Sequence, residues 1–184
     1  SRSDRPGRRQ DMGLTTLRAA FERLLEWIVI ALMTALFLEV TIGVVFRAAG
    51  QSLVWYDEVA SILLAWLTYY ASALAALKRA HIGFPGLVRG LEPRFRVPVV
   101  VAAETLVIAF FLLLAWVGYR VLEVLATDNL VSLPAVSVAW TQSVIPIGAL
   151  LYVVAELLNL PQILAEARGR PIVVYESSLA EKLH

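Results

Sequence analysis

The sequence predicts an all-α integral membrane protein of four transmembrane helices, and three observations lead there. Apolar blocks occupy residues 27 to 46, 59 to 77, 97 to 119 and 138 to 160, each 19 to 23 residues long. At ~1.5 Å rise per residue, a helix of about 20 residues crosses a hydrocarbon core of roughly 30 Å. The chain of 184 residues is also 59% hydrophobic with mean hydropathy +0.73, more apolar surface than a water-soluble core of this size can hide. Strand-type alternation is absent, and runs such as Leu112-Leu113-Leu114 have no polar face, which argues against a β-barrel. Finally, the 16 basic residues are sorted: 14 lie before the first block, between the second and third, or after the fourth, and the other two gaps hold only Arg47 and Arg120. Because basic flanks stay cytoplasmic, both termini and the 78 to 96 loop are expected inside, in an N-in/C-in topology.

Three regions follow: a basic N-terminal segment over 1–23 with an amphipathic lead-in, a membrane domain over 24–160, and a polar cytoplasmic tail over 161–184. Residues 1 to 12 read as an unstructured stretch, with Pro6-Gly7 as a breaker. From Leu14, the apolar residues Leu17, Phe21, Leu24 and Leu25 recur at helical spacing, a pattern that suits a helix lying at the cytoplasmic interface. The first block is longer than the ~7–15 residues of a secretion-signal core, so a retained helix is expected.

Helix 1 is expected to end at Phe46-Arg47, followed by an outer connection turning at Gly50. Trp55 and Tyr56 then fall where aromatic rings favour the headgroup layer. Asp57 and Glu58 stand at the start of helix 2, where carboxylates meet the positive pole of the helix and its open N–H groups. Helix 2 leaves through Lys78-Arg79 into a loop broken by Gly83, Pro85, Gly86, Gly90 and Pro93. Helix 3 opens near Val97-Pro98 and extends to about Leu125. In helix 4, Pro146 removes one backbone hydrogen bond and predicts a kink near Gln142, while Pro161 reads as a stop.

Glu39, Glu104 and Glu156 interrupt the spans. A charge near mid-bilayer costs about 2.5–3.5 kcal/mol on insertion scales, which one span can absorb but which calls for a reason. Glu156 is near enough to the interface to reach water. Glu39 and Glu104 are more demanding, since no basic residue lies at 48–77 or 97–119. Arg47 is eight residues from Glu39, about 12 Å along the axis and out of direct reach. Three readings stay open for the pair: a held proton or ion, a partner on another chain, or a bond to a local Thr or Ser.

The composition also closes off classes of function. With no cysteine there is no thiolate ligand or nucleophile. Both histidines, His81 and His184, lie outside the spans, so two axial imidazoles for a membrane haem cannot be assembled. There is no HExxH, GxSxG or glycine-rich phosphate loop. No enzyme, cofactor, metal or nucleic-acid partner is expected.

At Glu39 to Arg47, Trp55-Tyr56-Asp57-Glu58, Lys78-Arg79 and His81-Ile82-Gly83, the chain resembles the small membrane subunit, DctQ-like, of tripartite ATP-independent periplasmic (TRAP) transporters. Leu133-Pro134 and Ile145-Pro146-Ile147-Gly148 resemble that family's outer loop and proline-containing fourth helix. The match covers about residues 25 to 160. It departs from the family at Ala71-Ser72-Ala73 and at Phe84-Pro85. The resemblance implies a bacterial or archaeal inner-membrane complex in which a large membrane subunit moves an organic acid and sodium by an elevator motion, a periplasmic substrate-binding protein delivers the acid, and this chain enlarges the immobile scaffold. It implies interface or structural roles for Glu39, Arg47, Trp55, Asp57, Glu58, His81 and Glu104, with an ion pair from Arg47 to Asp57 or Glu58 at the outer end. Trp66, Phe110, Phe111 and Trp116 are divided between core packing and a lipid or partner surface. The competing reading is a small self-contained proton-coupled exchanger using Glu39, and a third is a membrane anchor for a soluble enzyme.

Overall fold

The computed structural model describes residues 7 to 79 and 93 to 168, with side chains from residue 16 in the first segment and residue 94 in the second. His81 and most of the 78 to 96 loop lie outside the described residues, as do the first six residues and those after 168.

Among the described residues, four helices are long and apolar enough to cross a membrane. Helix α1 runs unbroken over Gly7–Ala48, so backbone expected to be unstructured up to residue 12 is already helical. Its lead-in is continuous with the span rather than a separate helix. Phe21 and Leu25 join the core, while Leu17 and Leu24 stay exposed. Helix α2 spans Tyr56–Leu77 and carries Asp57 and Glu58 in its first turn. Helix α3 spans Pro93–Leu125, opening a turn earlier than expected and closing at the expected residue.

The fourth span is two helices, α4 over Val138–Gln142 and α5 over Val144–Ala167. The break at Ser143 has a cause in sequence. Pro146 has no N–H to offer the Gln142 carbonyl, and Ser143 N–H bonds instead to the Trp140 carbonyl three residues back. Pro161, expected to stop the helix, does not, and α5 continues to Ala167. The bond it forfeits falls on Leu157, a half-exposed residue near the end of the span.

These helices form an open row rather than a closed bundle. α1 packs on α2, α2 on α5, and α5 on α3; among the described residues α1 makes no comparable contact with α3. Half of the most apolar stretch of the fourth span is buried by the chain itself, against none of that of α3. Small residues let the interior helix come close, as membrane packing requires. A side chain at Gly148 would put its Cβ 2.7 Å from the Tyr69 Cβ, and Ala149 and Ala155 are fully buried. On α3 the contact stripe runs through Phe111, Ala115 and Gly118 at helical spacing. Phe111 stacks on Tyr152 at 3.7 Å between centroids, and Gly118 admits Ile145 and Pro146. The other faces of α1 and α3 expose Trp27, Phe37, Val45, Leu106, Phe110 and Trp116. Of the four aromatics left undecided by sequence, Trp66 and Phe111 pack inside, and Phe110 and Trp116 face outward.

Candidate functional site

The core is concentrated at one end of the row, where α1 begins and α2 finishes. Leu25, Ala73, Ala76, Leu77 and Ala155 are buried there, and Phe21, Tyr70, Leu151 and Leu158 pack around them. The last carbonyls of α2 would otherwise be open at such an end. Arg18 of α1 donates to the Leu77 carbonyl at 3.1 Å, and the buried Asn159 of α5 donates to the Ala76 carbonyl at 2.8 Å. Asn159 leaves its own Oδ1 without a partner.

Lys78 and Arg79 then reach in opposite directions. Lys78 pairs with Glu26 of α1 and, at 3.6 Å, with Glu22. Its hydrogen bond to Glu26 and the two negative charges raise its pKa above the ordinary lysine value. The stabilisation is therefore complete at neutral pH and is lost only as pH climbs through that raised value. Arg79 makes a two-pronged pair with Glu166 of α5, Nη2 donating at 2.8 Å. It also sits at φ 54°, a left-handed conformation that usually falls to glycine after a helix, and its N–H returns to the Ala76 carbonyl at 2.9 Å. A non-glycine residue there costs roughly 1–2 kcal/mol, opposed by the Glu166 pair and the helix-end bonds.

Arg79 is also placed so that its charge is felt at Glu104 of α3 and Glu156 of α5, although burial is the larger influence at both. Sequence reasoning read Lys78-Arg79 as a basic exit and missed this role, because nothing local marks which helix an exit residue turns towards.

The opposite end holds most of the residues singled out by sequence. Glu58 does not cap its own helix. Its carboxylate accepts from the backbone N–H of Ser132 at 2.9 Å and of Val131 at 3.3 Å, and from the Ser132 hydroxyl. That ties α2 to the 126 to 137 segment, itself closed by a bridge between Asn129 and Ser137 and by Leu130 N–H on the Val136 carbonyl at 2.9 Å. About two helical turns further along α2, Trp66 donates from its indole to the Thr141 carbonyl at 2.8 Å and stacks obliquely on Trp140. The 126 to 137 segment and the short helix that follows it are thus both held to α2.

The expected Arg47 ion pair is absent among the described residues. Arg47 lies over the Tyr56 ring, 6.0 Å from its centroid, and Asp57 is exposed. The helix phase explains the difference: Tyr56 occupies the face turned to α1, so close that any side chain at Gly43 would overlap its ring. Trp55 precedes the helix and is partly exposed, making no cap with its side chain. Glu39 shares the α2-facing stripe of α1 with Gly43. Both its carboxylate oxygens are enclosed and without a hydrogen-bond partner, although the rest of the side chain is partly exposed, and Asp57 is near enough for its charge to act there. An unsatisfied polar group of this kind costs about 1–3 kcal/mol. Among the described residues no three His, Asp or Glu side chains gather as a metal site.

A family model described as tripartite ATP-independent periplasmic transporters, DctQ component, matches residues 36–166, well over half of the chain. The matched stretch takes in α2, α3 and the fourth span almost entirely, together with Glu39, Arg47, Glu58 and Arg79. No curated protein matches the chain.

Proposed function

This chain belongs to the DctQ component family of tripartite ATP-independent periplasmic transporters, a multi-pass membrane component of a transport system, and from that premise we propose that it is an accessory scaffold subunit. In this reading it lies in a bacterial or archaeal inner membrane with both termini cytoplasmic. It supports a large elevator subunit that imports an organic acid with sodium, supplied by a periplasmic substrate-binding protein. It performs no catalysis of its own.

The observation that supports this most is the open row. A self-contained transporter builds its site between helices at mid-membrane, from broken helices and polar groups that close around a solute. Among the described residues the one broken span is interior, Trp66 is bonded to its short first helix, and the outward faces of α1 and α3 are apolar and exposed. Such faces suit lateral association with another membrane protein. In this role Glu58 holds the outer segment rigid and Arg79 locks the opposite end, while Arg47, Trp55 and Asp57 remain at the outer surface for contact. His81 and Glu104 keep their proposed structural or interface roles.

Reconstitution tests the proposal. Vesicles holding this chain alone should take up nothing, and addition of the large subunit and binding protein should restore uptake. Uptake by the chain alone, lost in Glu39→Gln, would favour the exchanger, which the enclosed and unpartnered carboxyl of Glu39 otherwise recommends. Glu58→Ala or Arg47→Ala should lower assembly or transport without changing which substrate is carried. For the orientation, a cysteine introduced near Arg89 should resist impermeant reagents applied from the periplasm.

A further inference from the structure

The two faces of α1 do different things where the helix begins. Phe21, Glu22, Leu25 and Glu26 turn towards α2, and both glutamates are committed to Lys78. The opposite face carries Thr16, Ala19, Ala20, Arg23 and Trp27 at spacings of three and four residues. The first four line an open cavity of about 370 Å³. Arg23 is exposed and makes no ion pair with any described residue, whereas Arg18, on the α2 side, is bonded to Leu77. Trp27, one turn further along, is 71% exposed.

The axial positions place this face in the membrane. Trp27 and Arg47 are 20 residues apart, about 30 Å along a helix, which is one hydrocarbon thickness. With Arg47 at the far boundary beside Tyr56, Trp27 stands at the near boundary, where its ring is favoured. Arg23 then lies ~6 Å beyond it, within a headgroup layer that is roughly 5–7 Å deep on each side. A guanidinium at that depth faces lipid phosphate, whose oxygens match its fork of donors. The small side chains of Ala19 and Ala20 leave room beside it that a larger residue would fill.

We propose that Arg23, with the cavity over Thr16, Ala19 and Ala20 and the ring of Trp27, is a binding site for the headgroup of an anionic phospholipid. The guanidinium takes the phosphate, the cavity takes the headgroup alcohol, and Trp27 lies against the glycerol and upper acyl chain. The site depends on α1 spanning the membrane and not on the role of the chain in transport, nor on which leaflet α1 enters.

Native mass spectrometry of the purified full chain, equilibrated with equal phosphatidylglycerol and phosphatidylcholine, tests the site. The wild type should retain phosphatidylglycerol several-fold over phosphatidylcholine. Arg23→Gln should abolish that preference, and Arg23→Lys should keep part of it. Phosphatidylglycerol brominated on its acyl chains should quench a fluorescence component that is missing in Trp27→Phe, which reports the lipid at this face independently of the Arg23 variants. Equal retention of the two lipids by the wild type, or an unchanged preference in Arg23→Gln, overturns the assignment. So does displacement of the lipid by inorganic phosphate, which would make this a site for free anions. In the complex with the large subunit the lipid should persist, and its exclusion would assign the face to the protein partner.

Discussion

The two ends of α2 are both tied down, but by opposite means. At its carboxyl end the helix is the acceptor: Arg18 and Asn159, from the helices on either side, donate to its last carbonyls, and Lys78 and Arg79 continue the tie with ion pairs to α1 and α5. At its amino end the helix supplies the acceptor, as Glu58 collects two backbone N–H groups and a hydroxyl from the 126 to 137 segment. One end therefore joins three helices directly, through the buried Asn159 and a set of partly exposed ion pairs. The other joins a helix to a loop through a single carboxylate. Stability should be concentrated at the first end and local order at the second.

Asn159→Asp offers the strongest test of that contrast. It replaces a buried donor with an unpaired charge aimed at the Ala76 carbonyl, and should cost about 3–5 kcal/mol. Asn159→Leu removes the unpartnered Oδ1 along with the donor and should cost much less, because Ala76 still accepts from Arg79 N–H. Thermal unfolding in detergent separates the two variants, and equal losses would mean that this end is not a buried polar joint. Glu58→Ala should follow, with a smaller loss, because its carboxylate is screened by solvent. That loss should appear in hydrogen exchange at Val131 and Ser132 more than in global unfolding. Protection at those amides that survives Glu58→Ala would show that the Asn129 to Ser137 bridge holds the segment by itself.

Arg79 sharpens the comparison further. Arg79→Ala gives up the Glu166 pair while retaining the left-handed backbone, whereas Arg79→Gly gives up the pair and relieves the backbone. The glycine variant should therefore be more stable than the alanine variant by roughly 1 kcal/mol. The smallest effect belongs to Arg47→Leu, where loss of the contact with Tyr56 should cost about 0.5–1 kcal/mol at an exposed position. A double-mutant cycle with Tyr56→Leu would expose that coupling, and no coupling would leave Arg47 free for a partner.

Much of the fold is legible in local sequence. A span of apolar residues has one low-energy conformation in lipid, and Pro146 removes a specific hydrogen bond wherever its neighbours lie. Hence the four helices, the break before Val144 and the end of α3 at Leu125 follow from residue order. The candidate site is less legible. Asp57 and Glu58 are adjacent and read alike as capping residues, yet only Glu58 meets the 126 to 137 segment, since neighbours on a helix point about 100° apart. Likewise, Arg79 is 25 residues from Glu104 and 87 from Glu166, too remote for any spacing rule to connect.

Residue order by itself determined that this chain lives in a membrane, how many times it crosses, and which family pattern it carries, because each of these rests on hydropathy or on short-range backbone chemistry. The tertiary structure alone decided that the helices stand as a row in the order α1, α2, α5, α3, that Glu58 holds a loop, and that Arg79 pairs with Glu166. Those outcomes depend on how each helix is rotated about its axis against its neighbours. That rotation is set by the collective fit of small residues such as Gly43, Gly118 and Gly148 against rings and prolines on other helices, and no single segment contains it.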